Sequence, residues 1–196
     1  MSKKWSLLFG VMLMLSFFAY EYNSLQSNDE KIKASWSEVT NQYQRRADLI
    51  PNLVNTVKGF AAHEKEVFTK VTEARARVLA TRSSQDNDSN SMVQFQEAQK
   101  ELSGALTRLL AISENYPSLK SDATFRDLQA QLEGTENRIT VARNRYIQSM
   151  KEYNVLIRSF PSNILARAFG FKVKDNFRVE NEAQISKPTL VDFSSK

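Results

Sequence analysis

The chain has 196 residues, 41% hydrophobic and 25% charged, with a formal net charge of +5, one histidine and no cysteine. The missing cysteines exclude disulfide scaffolds, thiolate zinc sites, thiol catalysis and attachment through an N-terminal lipoprotein cysteine. The lone His63 excludes two-histidine metal motifs, and enough Leu, Ile, Val and Phe remain for a buried core that global disorder is disfavoured.

The apolar content is uneven. Lys3 and Lys4 precede an uncharged run from Trp5 to Tyr20, in which thirteen of sixteen residues are apolar, and Glu21 ends it. As a helix this run is roughly 24 Å long at about 1.5 Å per residue, short of a hydrocarbon layer of ~30 Å. Trp5 at one end and Tyr20 and Tyr22 at the other suit the two membrane interfaces, where amphipathic rings settle. Cleavage after Ala19 would put Phe17 at the −3 position, so an uncleaved anchor is favoured over a cleaved signal peptide. A buried core helix is the third reading, disfavoured because the run is apolar on every side. Either membrane reading leaves Lys3 and Lys4 in the cytoplasm and everything after Glu21 outside it. For the anchor, that predicts a single-pass protein of the cytoplasmic (inner) membrane with an extracytoplasmic folded part.

Beyond the run, apolar residues recur at alternating steps of three and four, with no sustained period-two alternation. A first segment carries Ile32, Trp36, Val39, Tyr43, Arg46 and Ile50; a second carries Leu53 or Val54, Val57, Ala61, Phe68, Val71 and Val78. Between them, Asp48 could cap a new helix with Pro51 in its first turn, or Pro51 could kink one continuous helix. The polar run Ser83–Ser91 then separates off a third helix carrying Phe95, Leu102, Leu106, Leu109 and Tyr116, which Pro117 ends. Ser121 or Asp122 can cap the fourth and most regular helix, with Phe125, Leu128, Leu132, Thr135, Ile139, Ala142, Tyr146, Met150, Tyr153, Ile157 and Phe160 on its stripe, and Pro161 closes it. The predicted fold is all-α: an antiparallel bundle of four long helices, with an N-terminal transmembrane helix and a short mixed C-terminal tail. The expected divisions are an anchor over 1–25, a bundle over 26–161 and an amphipathic tail over 162–196.

Several seam positions are polar. Arg46, Glu64 and Thr135 stand where the heptad calls for an apolar group, Arg75 returns to the face of Glu64 eleven residues on, and Asp48 lies beside Arg46 in sequence. The favoured reading is that these residues set the register of the bundle. The competing reading gathers Arg46, Glu64 and Arg75 into a charged cluster that receives a ligand or a partner side chain.

Catalytic constellations are nearly absent. His63-Glu64 has no second histidine four residues on, no nucleophile elbow exists, and five scattered glycines form no phosphate loop. Glu133 and Glu136 share a helical face but are expected to be solvated or paired with a base such as Arg143. No catalytic residue, cofactor or metal is therefore expected. Residues 31–83 and 140–196 each carry ten Lys/Arg against five Asp/Glu, whereas 84–139 carry five against nine, a pattern of mutually complementary helices. No groove-reading motif is visible, so nucleic acid is not an expected partner. In the tail, Phe160, Phe169, Phe171 and Phe177 interleave with Arg167, Lys172, Lys174 and Arg178, the composition of a membrane-surface segment, with packing against the bundle base the equal alternative.

The stretch Arg45-Arg46-Ala47-Asp48-Leu49-Ile50-Pro51-Asn52-Leu53-Val54, followed by Val57-Lys58-Gly59-Phe60 and His63-Glu64, resembles the LemA family. So do Val71-Thr72-Glu73-Ala74-Arg75, Glu114-Asn115-Tyr116-Pro117, Leu132-Glu133-Gly134-Thr135-Glu136-Asn137-Arg138-Ile139, Tyr153-Asn154 and Phe160-Pro161. Two features depart from the family pattern: Ile147 stands where an Asn usually follows the fourth-helix tyrosine, and the ending Pro188–Phe193 is longer by a residue or so. The resemblance implies a membrane-attached helical bundle and no defined activity. It also implies an adaptor role beside membrane partners such as a metallopeptidase or a TPM-type protein. Three functions follow in order of expectation: a scaffold, a ligand-binding module using Arg46, Glu64 and Arg75, and a hydrolase using His63 with Glu64 or Asp48.

Overall fold

The computed structural model describes residues 2–83 and 89–174, with side chains described for 4–81 and 91–174. Every regular element among them is helical. Helix α1 spans Ser2–Phe60, α2 Lys65–Ser83, α3 Ser89–Ala111, α4 Pro117–Ser121, α5 Ala123–Leu156 and α6 Ser162–Ala168, with a 3₁₀ turn at Ile112–Glu114 between α3 and α4. The four long helices α1, α2, α3 and α5 make the bundle. Cross-links between Arg145 and Glu38 (2.7 Å) and between Arg46 and Glu136 (2.7 Å) fix α1 and α5 as antiparallel neighbours.

The break between the first two long helices falls at 61–64, at least thirteen residues later than an Asp48 cap would put it. Pro51 lies inside α1, and the chain turns at 61–64. Asp48 is mid-helix and exposed, accepting a hydrogen bond from Gln44 Nε2 at 2.6 Å. Helix α3 stops at Ala111, short of Pro117, which opens α4 at a position where its missing N–H costs nothing. Asp122 caps α5 by accepting from the Phe125 N–H at 2.8 Å. The candidate caps of α3 between Ser83 and Ser91 lie largely outside the described residues.

Two separate cores fill the bundle. The distal core draws on all four long helices, with Leu53 and Val57 of α1, Val71 of α2, Leu102 and Leu109 of α3 and Phe125 of α5 at its centre. The proximal core, nearer the apolar run, takes Leu25 to Tyr43 of α1, Ile139 to Tyr153 from the second half of α5 with Ile157 just after it, Phe95 of α3 and Leu165 of α6, and, among the described residues, nothing from α2. Its middle is aromatic: Trp36 meets Phe95 and Tyr146 at 5.7 and 5.1 Å between ring centroids, and Tyr43 meets Phe95 edge-on at 5.2 Å. Such contacts add directional preference to apolar burial.

Candidate functional site

A polar layer divides the two cores. Arg46 is only 4% exposed although it carries a full charge. Its Nη1 donates to Glu136 Oε2 on α5 at 2.7 Å, and its Nη2 donates to Gln99 Oε1 (2.8 Å) and the Gln99 carbonyl (3.3 Å) on α3. Its guanidinium also lies 5.4 Å from the centre of the Tyr43 ring. Three helices are thus locked together at one level. Removing such a charge from water costs several kcal/mol, which the pairing has to offset, and Glu136, with its side chain 57% exposed, remains largely hydrated. Among the described residues Arg46 Nε and Gln99 Nε2 meet no acceptor. Burial raises the pKa of the neighbouring Tyr43 phenol against the pull of Arg143 and Arg46.

Just above this layer, Arg75 does different work. In an α-helix the Ala47 carbonyl would accept from residue 51, but Pro51 has no N–H to give. Arg75 Nε of α2 donates to that carbonyl at 2.8 Å. A side chain from the next helix therefore supplies the bond that proline deletes, which keeps α1 unbroken through Pro51 and ties α2 against it.

The expected charged cluster is not assembled. Glu64 sits in the link between α1 and α2, where its backbone carbonyl accepts from Val67 and Phe68 N–H at 3.1 and 3.3 Å, and its carboxylate pairs with neither arginine. Glu64 lies just outside α2, and both arginines find partners on other elements: α3 and α5 for Arg46, the α1 backbone for Arg75. Thr135 is fully buried but bonds within its own helix, to the Gln131 carbonyl at 2.7 Å. His63 is exposed in the same link, and among the described residues no carboxylate is bonded to it. Two open hollows of about 500 and 680 Å³ lie along the groove between α1 and α5, touching Asn28, Val155, Glu38 and Arg145 but none of these seam residues.

The other group of expected residues lies at the end of the apolar run. Trp5 and Tyr20 are both 72% exposed, and between them only Phe18 is partly covered. The helix holding the run is long and apolar enough to cross a membrane, and it continues without interruption into the bundle. There α6 docks on it: Ser162 Oγ donates to Glu21 Oε2 at 2.6 Å, and Phe169 meets Tyr22 at 4.9 Å. Gly170, at φ +77°, ends α6 in a left-handed turn, with the Phe171 N–H reaching the Ala166 carbonyl at 2.9 Å. The chain then turns back along the bundle, where Asn154 clamps the Lys174 backbone through bonds to its carbonyl (2.8 Å) and N–H (3.0 Å). Lys174 Nζ reaches Asp29 at 2.6 Å. The expected tail set therefore divides. Phe171 and Lys174 pack on the bundle, whereas Phe160, Arg167, Phe169 and Lys172 remain exposed. Phe177 and Arg178 lie outside the described residues.

The LemA family model matches residues 35–193 of this chain. The chain belongs to the LemA family. Similar proteins include magnetosome protein MamQ 2 of Paramagnetospirillum magneticum, 27% identical over 187 residues, covering 86% of this chain and 69% of the relative. Magnetosome protein MamQ of Magnetospirillum gryphiswaldense is 28% identical over 186 residues (86% and 68%), and protein LemA of Metamycoplasma hominis is 23% identical over 163 residues (82% and 71%).

In this LemA-family chain the matched region begins within α1 and contains the whole polar layer and the Pro51–Arg75 junction. Sequence reasoning named Arg46 and Arg75 but missed their partners. For Gln99 a signal existed: between Phe95 and Leu102 the α3 stripe needs a seam residue, and a glutamine stands there beside Ala98. Asn154 was equally visible as a polar residue next to Tyr153 on the buried stripe. Glu136, an ordinary exposed carboxylate on α5, offered no such signal. Among the described residues, no three His, Asp or Glu side chains converge where a metal ion could sit.

Proposed function

We propose that this protein is a non-catalytic, single-pass scaffold of the cytoplasmic membrane. Its N-terminus faces the cytoplasm, and its bundle stands on the other side to position a membrane-associated protein partner. The observation that carries this reading is the continuity of α1: one 59-residue helix contains both the apolar run and the first helix of the bundle. At about 1.5 Å per residue the rod is close to 90 Å long, so the bundle has a fixed height and orientation relative to the anchor. Lys3 and Lys4 before the run support the stated sidedness. The bonds that Arg46 and Arg75 make hold helices together, which favours scaffold over ligand pocket. Crosslinking in intact cells, followed by purification of the full chain, should recover one reproducible membrane-associated partner. Repeated recovery of the chain alone at native expression would overturn the reading.

A further inference from the structure

We infer that the corner formed by Phe160 and α6 is a second membrane contact, inserted into the interfacial zone of the lipid leaflet where α1 emerges. The inference rests on the reading of α1 as a membrane anchor. Helix α6 has two faces. Ser162, Leu165 and Ala166 are buried against the bundle. On the other side Ile164 is 59% exposed, Phe169 58% exposed, and Phe160, just before the helix, 80% exposed. A cluster of large apolar side chains left uncovered in this way calls for an occupant.

Depth identifies the occupant. Ser162 is bonded to Glu21, the first charged residue after the apolar run, and Phe169 touches Tyr22. Phe18, inside the run, packs against the same core as Leu165 and Ala166. The uncovered side of α6 is therefore level with the point where the apolar run stops, continuous with a surface that is itself apolar and exposed. The run alone is roughly 24 Å long against ~30 Å of hydrocarbon. An apolar corner beside its outer end fits a leaflet that the short helix leaves thinned. Arg167 and Lys172 are exposed on the same segment, within reach of lipid phosphates while their stems lie along apolar surface. The matching partner is a bilayer surface carrying anionic headgroups, and the consequence is an anchor held at two points, which restrains tilting and spinning of the rod.

The native chain has no cysteine, so single labels are clean. The full chain would be reconstituted into vesicles of phosphatidylglycerol and phosphatidylethanolamine. An environment-sensitive dye would be placed in turn at Ile164→Cys, Leu13→Cys and Ala62→Cys, with nitroxide lipids quenching either near the headgroup or deep in the acyl chains. At Ile164 the expected result is blue-shifted emission, quenched more by the shallow nitroxide than by the deep one. Leu13 should be quenched best by the deep nitroxide, and Ala62 by neither. A water-like, unquenched dye at Ile164 with Leu13 still quenched would overturn the second contact and leave the anchor standing. Blue-shifted emission at Ile164 that neither nitroxide quenches would mean that protein, such as a second copy, covers the corner, and would also overturn it. Absence of quenching at Leu13 would overturn the anchor and this inference together.

Discussion

The two halves of the bundle solve the same packing problem with different materials. The distal half closes four helices around a mostly aliphatic core, in which leucines and valines interdigitate from every side. The proximal half has α1 and α5 as its long pair, and fills the space that α2 does not reach with an aromatic stack, the first turns of α3, and α6. Between them lies a layer of hydrogen-bonded charge. The distal half is thus stabilised chiefly by volume filling, whereas the proximal half depends on specific partners brought in by connecting segments. Polar layers of this kind fix which residues face one another, because any shift in register strands a buried charge.

The largest expected effects test whether the halves unfold together. Leu102→Ala and Leu132→Ala in the distal core, and Met150→Ala in the proximal core, each remove a buried side chain and should cost roughly 2–5 kcal/mol. Denaturant melts of the full chain in detergent should show one transition shifted similarly by all three. Loss of the proximal signal alone in Met150→Ala would show that the polar layer uncouples the halves. Next in size is the layer itself. Replacing Arg46 and Gln99 together by Met and Leu would merge the cores and should leave stability equal or raise it by up to about 1–4 kcal/mol. Glu136→Ala, which leaves the arginine unpaired, should instead lower stability by about 1–3 kcal/mol.

A smaller and more diagnostic effect belongs to the junction just above the layer. Arg75→Ala leaves the Ala47 carbonyl without a donor and should cost about 1–3 kcal/mol. In a Pro51→Ala background the backbone N–H returns, so the same Arg75→Ala substitution should cost distinctly less. The coupling from such a double-mutant cycle measures the substitution of a side-chain donor for the one that proline lacks. Purely additive costs would contradict it.

The smallest effect concerns the strap from Phe171 to Lys174. Burial raises the Asp29 pKa, but hydrogen bonds and charge from Lys174 and Lys33 outweigh it and hold the group below its ordinary value. The contribution is therefore complete above about pH 4 and is lost as pH falls through the depressed value. Amide protection near Lys174, corrected for the intrinsic exchange rate at each pH, should fall under acid before protection in the distal core does, and Asp29→Asn should reproduce the loosening at neutral pH.

The stripe of α5 was legible from Phe125 to Ile157, because a 34-residue helix that buries one face repeats its signal often enough to fix its phase. Its expected last member, Phe160, lies past the end of the helix at Leu156 and is 80% exposed. The boundary after α1 was not legible. Pro51 has the local signature of a helix start, and the donor that lets the helix run through it comes from Arg75, 24 residues away on another helix. Periodicity likewise revealed that Arg46 is buried but not what it meets, since register along one helix says nothing about rotation of its neighbours. The tail divided for a related reason: Lys172 and Lys174 are alike in sequence, and only the turn at Gly170 and the clamp of Asn154 decide which one reaches Asp29.

Stiffness of α1 across the membrane boundary is the property on which the scaffold reading depends. Spin labels at Phe9→Cys and Ser37→Cys, in the full chain reconstituted in nanodiscs, bracket that boundary within one helix. Twenty-eight residues of continuous α-helix at about 1.5 Å each give a narrow distance distribution centred near ~42 Å. A broad distribution reaching to much shorter distances would mean a hinge between anchor and bundle, and would contradict the rigid rod.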